Sequence, residues 1–175
     1  MPPNGCAFID KTGWRRGEWD QEKDFYFWLC DGVPCFILRH GEIGHLCGYV
    51  VLRKDHPDIG KDFDYTYTIH GGITFSGAFK ENFFTLITED VLLAMDLVQT
   101  LGIDAAFSLI MDGWVIGFDC HHYNDLAPID SDIIVRNGGC YRNVDYVLQE
   151  VTDLAKQVVE REKEKKDAHT ETETQ

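Results

Sequence analysis

The residues best suited to chemistry fall into three short groups. His45-x-Cys47 and Cys120-x-His122 each set an imidazole and a thiol two residues apart. In an extended strand, residues i and i+2 project to one face, so each pair can aim a nitrogen and a sulfur donor together. Two such strands side by side would offer His45, Cys47, Cys120 and His122 as a tetrahedral set for zinc or another divalent cation. The second group is His70-Gly71-Gly72. Glycine there lets the backbone bend and a ligand approach an imidazole displayed at a strand end. The third is 117–125, Gly-Phe-Asp-Cys-His-His-Tyr-Asn-Asp, with two acids, two imidazoles, a thiol, a phenol and an amide in nine residues. An aspartate in such a loop can orient a histidine for acid–base work or supply oxygen to a hard cation. Cys120 could act as a nucleophile with His122 or His70 as base, although no cysteine-hydrolase signature accompanies it. His70, Asp119, His122 and Asp125 are therefore the candidate catalytic residues. Tyr49 and Trp114 are candidate aromatic walls for a ligand. Arg142, with Arg136 and Arg53, would anchor an anionic one. Each group also has a plain reading: buried thiols in a core, a β-turn at the glycines, a polar connecting loop.

These groups need elements to position them. Residues 25–30 and 33–39 are apolar runs joined by Asp31-Gly32, a strong hairpin signal. After a turn at 41–44, residues 46–52 form a third strand, giving an antiparallel meander. Apolar and polar residues alternate over 65–70, the period of a half-buried strand, which 73–76 resumes past the two glycines. Thr88 reads as the N-cap of a helix that Gly102 stops. Residues 105–111 and 114–120 flank Asp112-Gly113 as a second hairpin. Asn143 can cap a last helix whose Val144, Val147, Leu148, Val151, Leu154 and Val158 follow helical spacing. The expected architecture is α+β, a mostly antiparallel sheet with two helices packed on it. The expected organisation is an irregular lead-in over 1–24 pinned by its tryptophans, a single domain over 25–159, and a charged, disordered tail over 160–175.

Composition narrows the function classes. The 175 residues are 44% apolar and 26% charged, enough for a packed core in one domain. Thirty acids against sixteen bases give a formal charge of −14, which argues against a general nucleic-acid or anionic-membrane binder. Ten of the acids, and no lysine or arginine, lie between Lys80 and Arg136. No apolar run is long enough to span a membrane and no secretory signal opens the chain, so a cytoplasmic location with reduced thiols is expected. Phosphate-binding, dinucleotide-binding and serine-hydrolase motifs are missing.

The segments His45-Leu46-Cys47-Gly48-Tyr49-Val50, His56-Pro57, His70-Gly71-Gly72-Ile73-Thr74-Phe75 and Trp114-x-x-Gly117-Phe118-Asp119-Cys120-x-His122-x-x-Asp125, followed by Tyr141-Arg142, run in one order over roughly 30–160. In this the chain resembles a family of uncharacterised proteins encoded by bacteriophages and their bacterial hosts. The resemblance implies a phage-type accessory protein in the host cytoplasm, and no particular reaction. His121 and Asn124 stand where the family pattern has small residues.

Two functions follow as expectations. In the first, His70, Asp119, His122 and Asp125 line a pocket for a small polar ligand, a nucleotide among the candidates, with metal-assisted hydrolysis as the chemistry open to it. In the second, the acidic stretch covers a basic surface of a host protein and inhibits it without catalysis. Acids that converge on histidines favour the first, and acids that cluster outward favour the second.

Overall fold

A computed structural model describes residues 5–61, 66–79, 113–130 and 137–173, with side chains described as far as residue 165. A six-stranded antiparallel sheet forms its centre, in the order β1-β2-β3-β4-β6-β5. The strands are β1 (Gly5–Cys6), β2 (Phe25–Cys30), β3 (Val33–Arg39), β4 (Leu46–Leu52), β5 (Phe75–Ala78) and β6 (Trp114–Asp119). β7 (Asp125–Leu126) and β8 (Cys140–Tyr141) form a short parallel pair, and α1 runs over Val144–Glu173. The fold is α+β. The expected helix over 88–102 and strand over 105–111 lie outside the described residues; α1 is the α-helix described, beside a 3-10 turn at Glu18–Asp20.

The β2–β3 hairpin closes where Asp31-Gly32 predicts. Both residues adopt positive φ, 50° and 79°, the backbone of a type I′ turn, and Cys30 pairs with Val33 across it. α1 lies across β4 and β3 and reaches β2. Its Val147, Val151, Leu154 and Val158 are fully buried against Ile37, Leu46, Val50, Ile116 and Phe118. Each such side chain contributes roughly 1.5–3 kcal/mol by leaving water. The helix can approach because Gly48 has no side chain: a Cβ there would collide with Val151 and Phe118. The opposite face of the sheet is aromatic, with Phe25, Phe27, Phe36, Tyr49 and Phe79 buried together and Phe36 stacked on Tyr49 at 4.7 Å.

Three expectations need correction. Residues 66–70 are turn and irregular backbone rather than a strand. Their backbone is satisfied by α1 instead of a ladder: Thr68 N donates to Gln157 Oε1, Gln157 Nε2 donates to Thr68 O, and His70 N donates to Glu150 Oε2. Alternation therefore arose from contact with a helix, with Tyr67 turned inward to Asp58. The lead-in is not wholly irregular, because Gly5–Cys6 pairs with Tyr26 and Phe25. Trp19 does pin it, buried edge-on to Tyr141 at 5.0 Å. Finally, α1 continues to Glu173 through the segment expected to be a disordered tail. Glu, Lys and Arg are good helix formers, and they extend a helix already nucleated on the core.

Candidate functional site

Two glycines start the site. Gly71 and Gly72 take positive φ, 65° and 84°, and turn the chain so that His70 faces β6 and α1. Its imidazole is held at both nitrogens: Nε2 lies 2.7 Å from Asp125 Oδ2 and Nδ1 lies 3.0 Å from the Tyr146 hydroxyl. Asp125 is delivered by a tight turn after β6, in which Asp125 N donates to His122 O and Asn124 has φ 69°. Its carboxylate also accepts from His122 N at 3.0 Å and from Arg142 Nε at 2.8 Å. Arg142 then turns back over the Tyr146 ring, with Cζ 4.9 Å from the centroid. Tyr146, His70, Asp125 and Arg142 thus close a ring of contacts between three segments distant in sequence.

The electrostatics follow from this ring. Burial pushes the Asp125 carboxyl up, but hydrogen bonds from Arg142, His70 and the His122 amide outweigh it, and its pKa lies below the ordinary value. An ionised Asp125 accepts from His70 Nε2, which leaves Nδ1 to accept from the Tyr146 hydroxyl. Burial, followed by the charge of Glu150, raises the Tyr146 phenol.

His122 completes the cluster. Its ring lies 5.3 Å from that of His70 and covers Gly71, where a Cβ would overlap Nε2. That Nε2 is buried without a hydrogen-bond partner, with Asp119 Oδ1 3.9 Å away. Asp119 accepts from His121 N and stands beside Thr74. Burial pushes its pKa up, and the bonds from Thr74 and the His121 amide bring it below the ordinary value.

The structure brings His70, Asp125, His122 and Arg142 together, with Asp119 at the margin. It does not bring the aromatic walls. Tyr49 is buried on the opposite face, and Trp114 sits at the far end of β6 beside Ser76. Arg53 lies near Gly32, at the other end of the sheet from the site, and Arg136 is outside the described residues.

The expected zinc set is divided by the sheet. Cys47 is in the aromatic cluster, where burial raises its thiol to about 12, whereas Cys120 is in the helix-side core, where burial also raises its thiol. His45 is stacked between His40 and His121, at 4.9 and 5.1 Å. The i and i+2 geometry fails because His45 and His122 lie beyond their strands. Among the described residues no group of three or more His, Cys, Asp or Glu side chains is placed to hold a metal ion. Cys120 as a nucleophile is equally disfavoured, being 2% exposed with a raised pKa.

No protein-family model, curated protein or solved structure matches the chain. The site is therefore read from its own geometry.

Of the ten acids between Lys80 and Arg136, Asp119, Asp125 and Asp130 are described, and all three turn towards histidines. Among the described residues no helix is long and apolar enough to cross a membrane. Sequence reasoning missed Tyr146 and Glu150. Their signal was a spacing of four, Arg142-x-x-x-Tyr146-x-x-x-Glu150, along one flank of the apolar stripe of α1. It also missed a second network. Arg39, with its side chain fully buried, donates to Asp24, Glu22, Gly44 O and Tyr141.

Proposed function

We propose that the His70–His122–Asp125–Arg142 cluster binds a small polar, anionic ligand, a nucleotide among them, in an accessory protein of the phage-encoded type working in the host cytoplasm. The observation that carries this reading is His122 Nε2, a buried ring nitrogen with no hydrogen-bond partner beside a fully bonded His70. A buried polar atom left unpaired costs roughly 1–3 kcal/mol, a cost that a bound ligand recovers. Arg142 supplies the charge: its side chain is 28% exposed and Asp125 engages it through Nε, so its outer nitrogens can meet an anion. Among the described acids of that stretch, Asp125 and Asp119 stand beside His70 and His122, which supports a site over an outward-facing acidic surface. The motifs that resemble those of phage-encoded proteins fall on the same His70, His122 and Asp125.

Thermal unfolding tests the reading, with inorganic phosphate, nucleoside mono- and triphosphates and a neutral nucleoside as probes. At a hundredfold excess over Kd, a bound anion should raise Tm by about 5–10 °C. His122→Ala and Arg142→Met should abolish the shift while leaving the protein folded. If no anion moves the wild-type Tm, the binding reading is wrong.

A further inference from the structure

The contacts around His70 have a direction. A nucleophile is recognised by a hydroxyl or thiol within hydrogen-bond reach of a base that a third group orients. Here the hydroxyl is Tyr146 Oη, 3.0 Å from His70 Nδ1, and the orienting group is Asp125, 2.7 Å from His70 Nε2. Asp125 is in turn fixed by Arg142 and by the His122 amide, so the base has one available tautomer. The other nucleophile in the neighbourhood, Cys120, is sealed in the core. We propose that Tyr146 is the reactive hydroxyl of this site, with His70 as its base and Asp125 as the orienting carboxylate, and that it accepts a phosphoryl group from a phosphate ester. The proposal rests on the anion-binding reading for its choice of substrate class.

The step balances within the site. The Tyr146 Oη–P bond forms as the bond from phosphorus to the leaving alcohol breaks, and the electron pair departs with the alcohol oxygen. The phenol proton passes to His70 Nδ1 and then to that oxygen. Water reverses the sequence: it gives a proton to Nδ1, its oxygen bonds phosphorus, and Tyr146 leaves and recovers the proton. Ionised Asp125 stabilises the imidazolium at each stage. The Arg142 guanidinium over the ring is the donor for phosphoryl oxygens. The phenol is not a resting phenolate, since burial and Glu150 hold its proton on. The base is therefore needed in the step itself.

The chain holds its own reference, because Tyr123 is 94% exposed on the neighbouring loop. The full-length protein is treated with an alkyl fluorophosphonate, which forms an O–P bond with loss of fluoride, and adducts at each tyrosine are timed by peptide mass spectrometry. Tyr146 should be modified at least tenfold faster than Tyr123. His70→Gln should remove that excess, and Tyr146→Phe should leave no adduct at this site. A wild-type rate at Tyr146 equal to or below that at Tyr123 overturns the proposal, and this comparison needs no variant. So does an undiminished excess in folded His70→Gln protein. Phosphate binding without selective labelling would remove the nucleophile and keep the binding reading. Selective labelling without any anion-induced Tm shift would do the reverse.

Discussion

Tyr141 and Arg142 are neighbours in sequence, yet they serve two networks of the same ingredients: an arginine, carboxylates and a tyrosine. Around Arg39, every polar atom that is buried finds a partner. Asp24 accepts from Phe8 N, Ile9 N, Lys11 and Arg39, and Glu22 accepts from Arg39, from the Tyr141 hydroxyl at 2.5 Å and from Val144 N at the start of α1. Around His70, the ring of contacts is half open: Arg142 is partly exposed and His122 Nε2 is unpaired. A closed network resists change and joins the lead-in to the sheet and helix. An open one keeps unused donors that only a further molecule can satisfy.

The contrast is sharpest in the response to losing a central charge. Arg39→Leu should destabilise the protein by about 3–5 kcal/mol in urea unfolding, because Asp24 and Glu22 lose the guanidinium they share and, among the described residues, Lys11 is the one cation left to them. A cost below about 1 kcal/mol would mean the network is not closed.

His45 tests the criterion from another side. Its Nδ1 is also buried and unpaired, but it stands outside the His70 ring. Burial, followed by the charges of His40 and His121, lowers its pKa to about 4 from 6.5. The folded state therefore favours the neutral imidazole. Its stabilisation is complete above pH 6.5 and is lost as pH falls towards 4, on the order of 3 kcal/mol. His45→Phe should flatten the stability profile over that window, measured by urea unfolding at successive pH values. Below it, the lowered carboxyls of Asp58 and Asp125 give a second loss as they protonate under the ordinary carboxylate pKa.

The two tyrosines are a matched pair. Tyr141→Phe takes one buried hydrogen-bond partner from each of Glu22 and Arg39 and should cost about 1–3 kcal/mol. Tyr146→Phe removes one hydroxyl from a half-buried ring and should cost about 1 kcal/mol or less, while abolishing modification at that site. Equal costs would erase the distinction between the networks. Gly71→Ala acts on the open network through the backbone. It strains a positive φ by about 1–2 kcal/mol and moves the His122 ring aside, so the anion-induced Tm shift should vanish in a protein that still folds.

Much of the scaffold was legible because it rests on local signals. The Asp31-Gly32 turn, the β3–β4 meander, the Asn143 cap that receives Tyr146 N, and the valine stripe of α1 all depend on residues within a few positions of one another. Half of the site was legible for the same reason, since His70-Gly71-Gly72 and His122-x-x-Asp125 each make a turn that displays a side chain. What escaped depends on distant pairs. Tyr146 meets His70 across 76 residues, and Arg39 meets Tyr141 across 102. Arg39 sits in an apolar strand where nothing local says that Glu22 and Asp24 fold over it. The misplaced zinc set shows the converse error: short spacing was read as shared orientation, but His45 and His122 lie where strand alternation no longer applies.

The two-residue strand β8 has a consequence for what lengths of chain the protein can tolerate. Tyr141, the last residue of β8, enters the closed network, and Arg142, the next residue, enters the open one. Losing or gaining one residue between Gly138 and Tyr141 would slip this register against Asp125 and Leu126 and carry both side chains out of their networks. That short stretch should accept many substitutions of type, but no insertion or deletion.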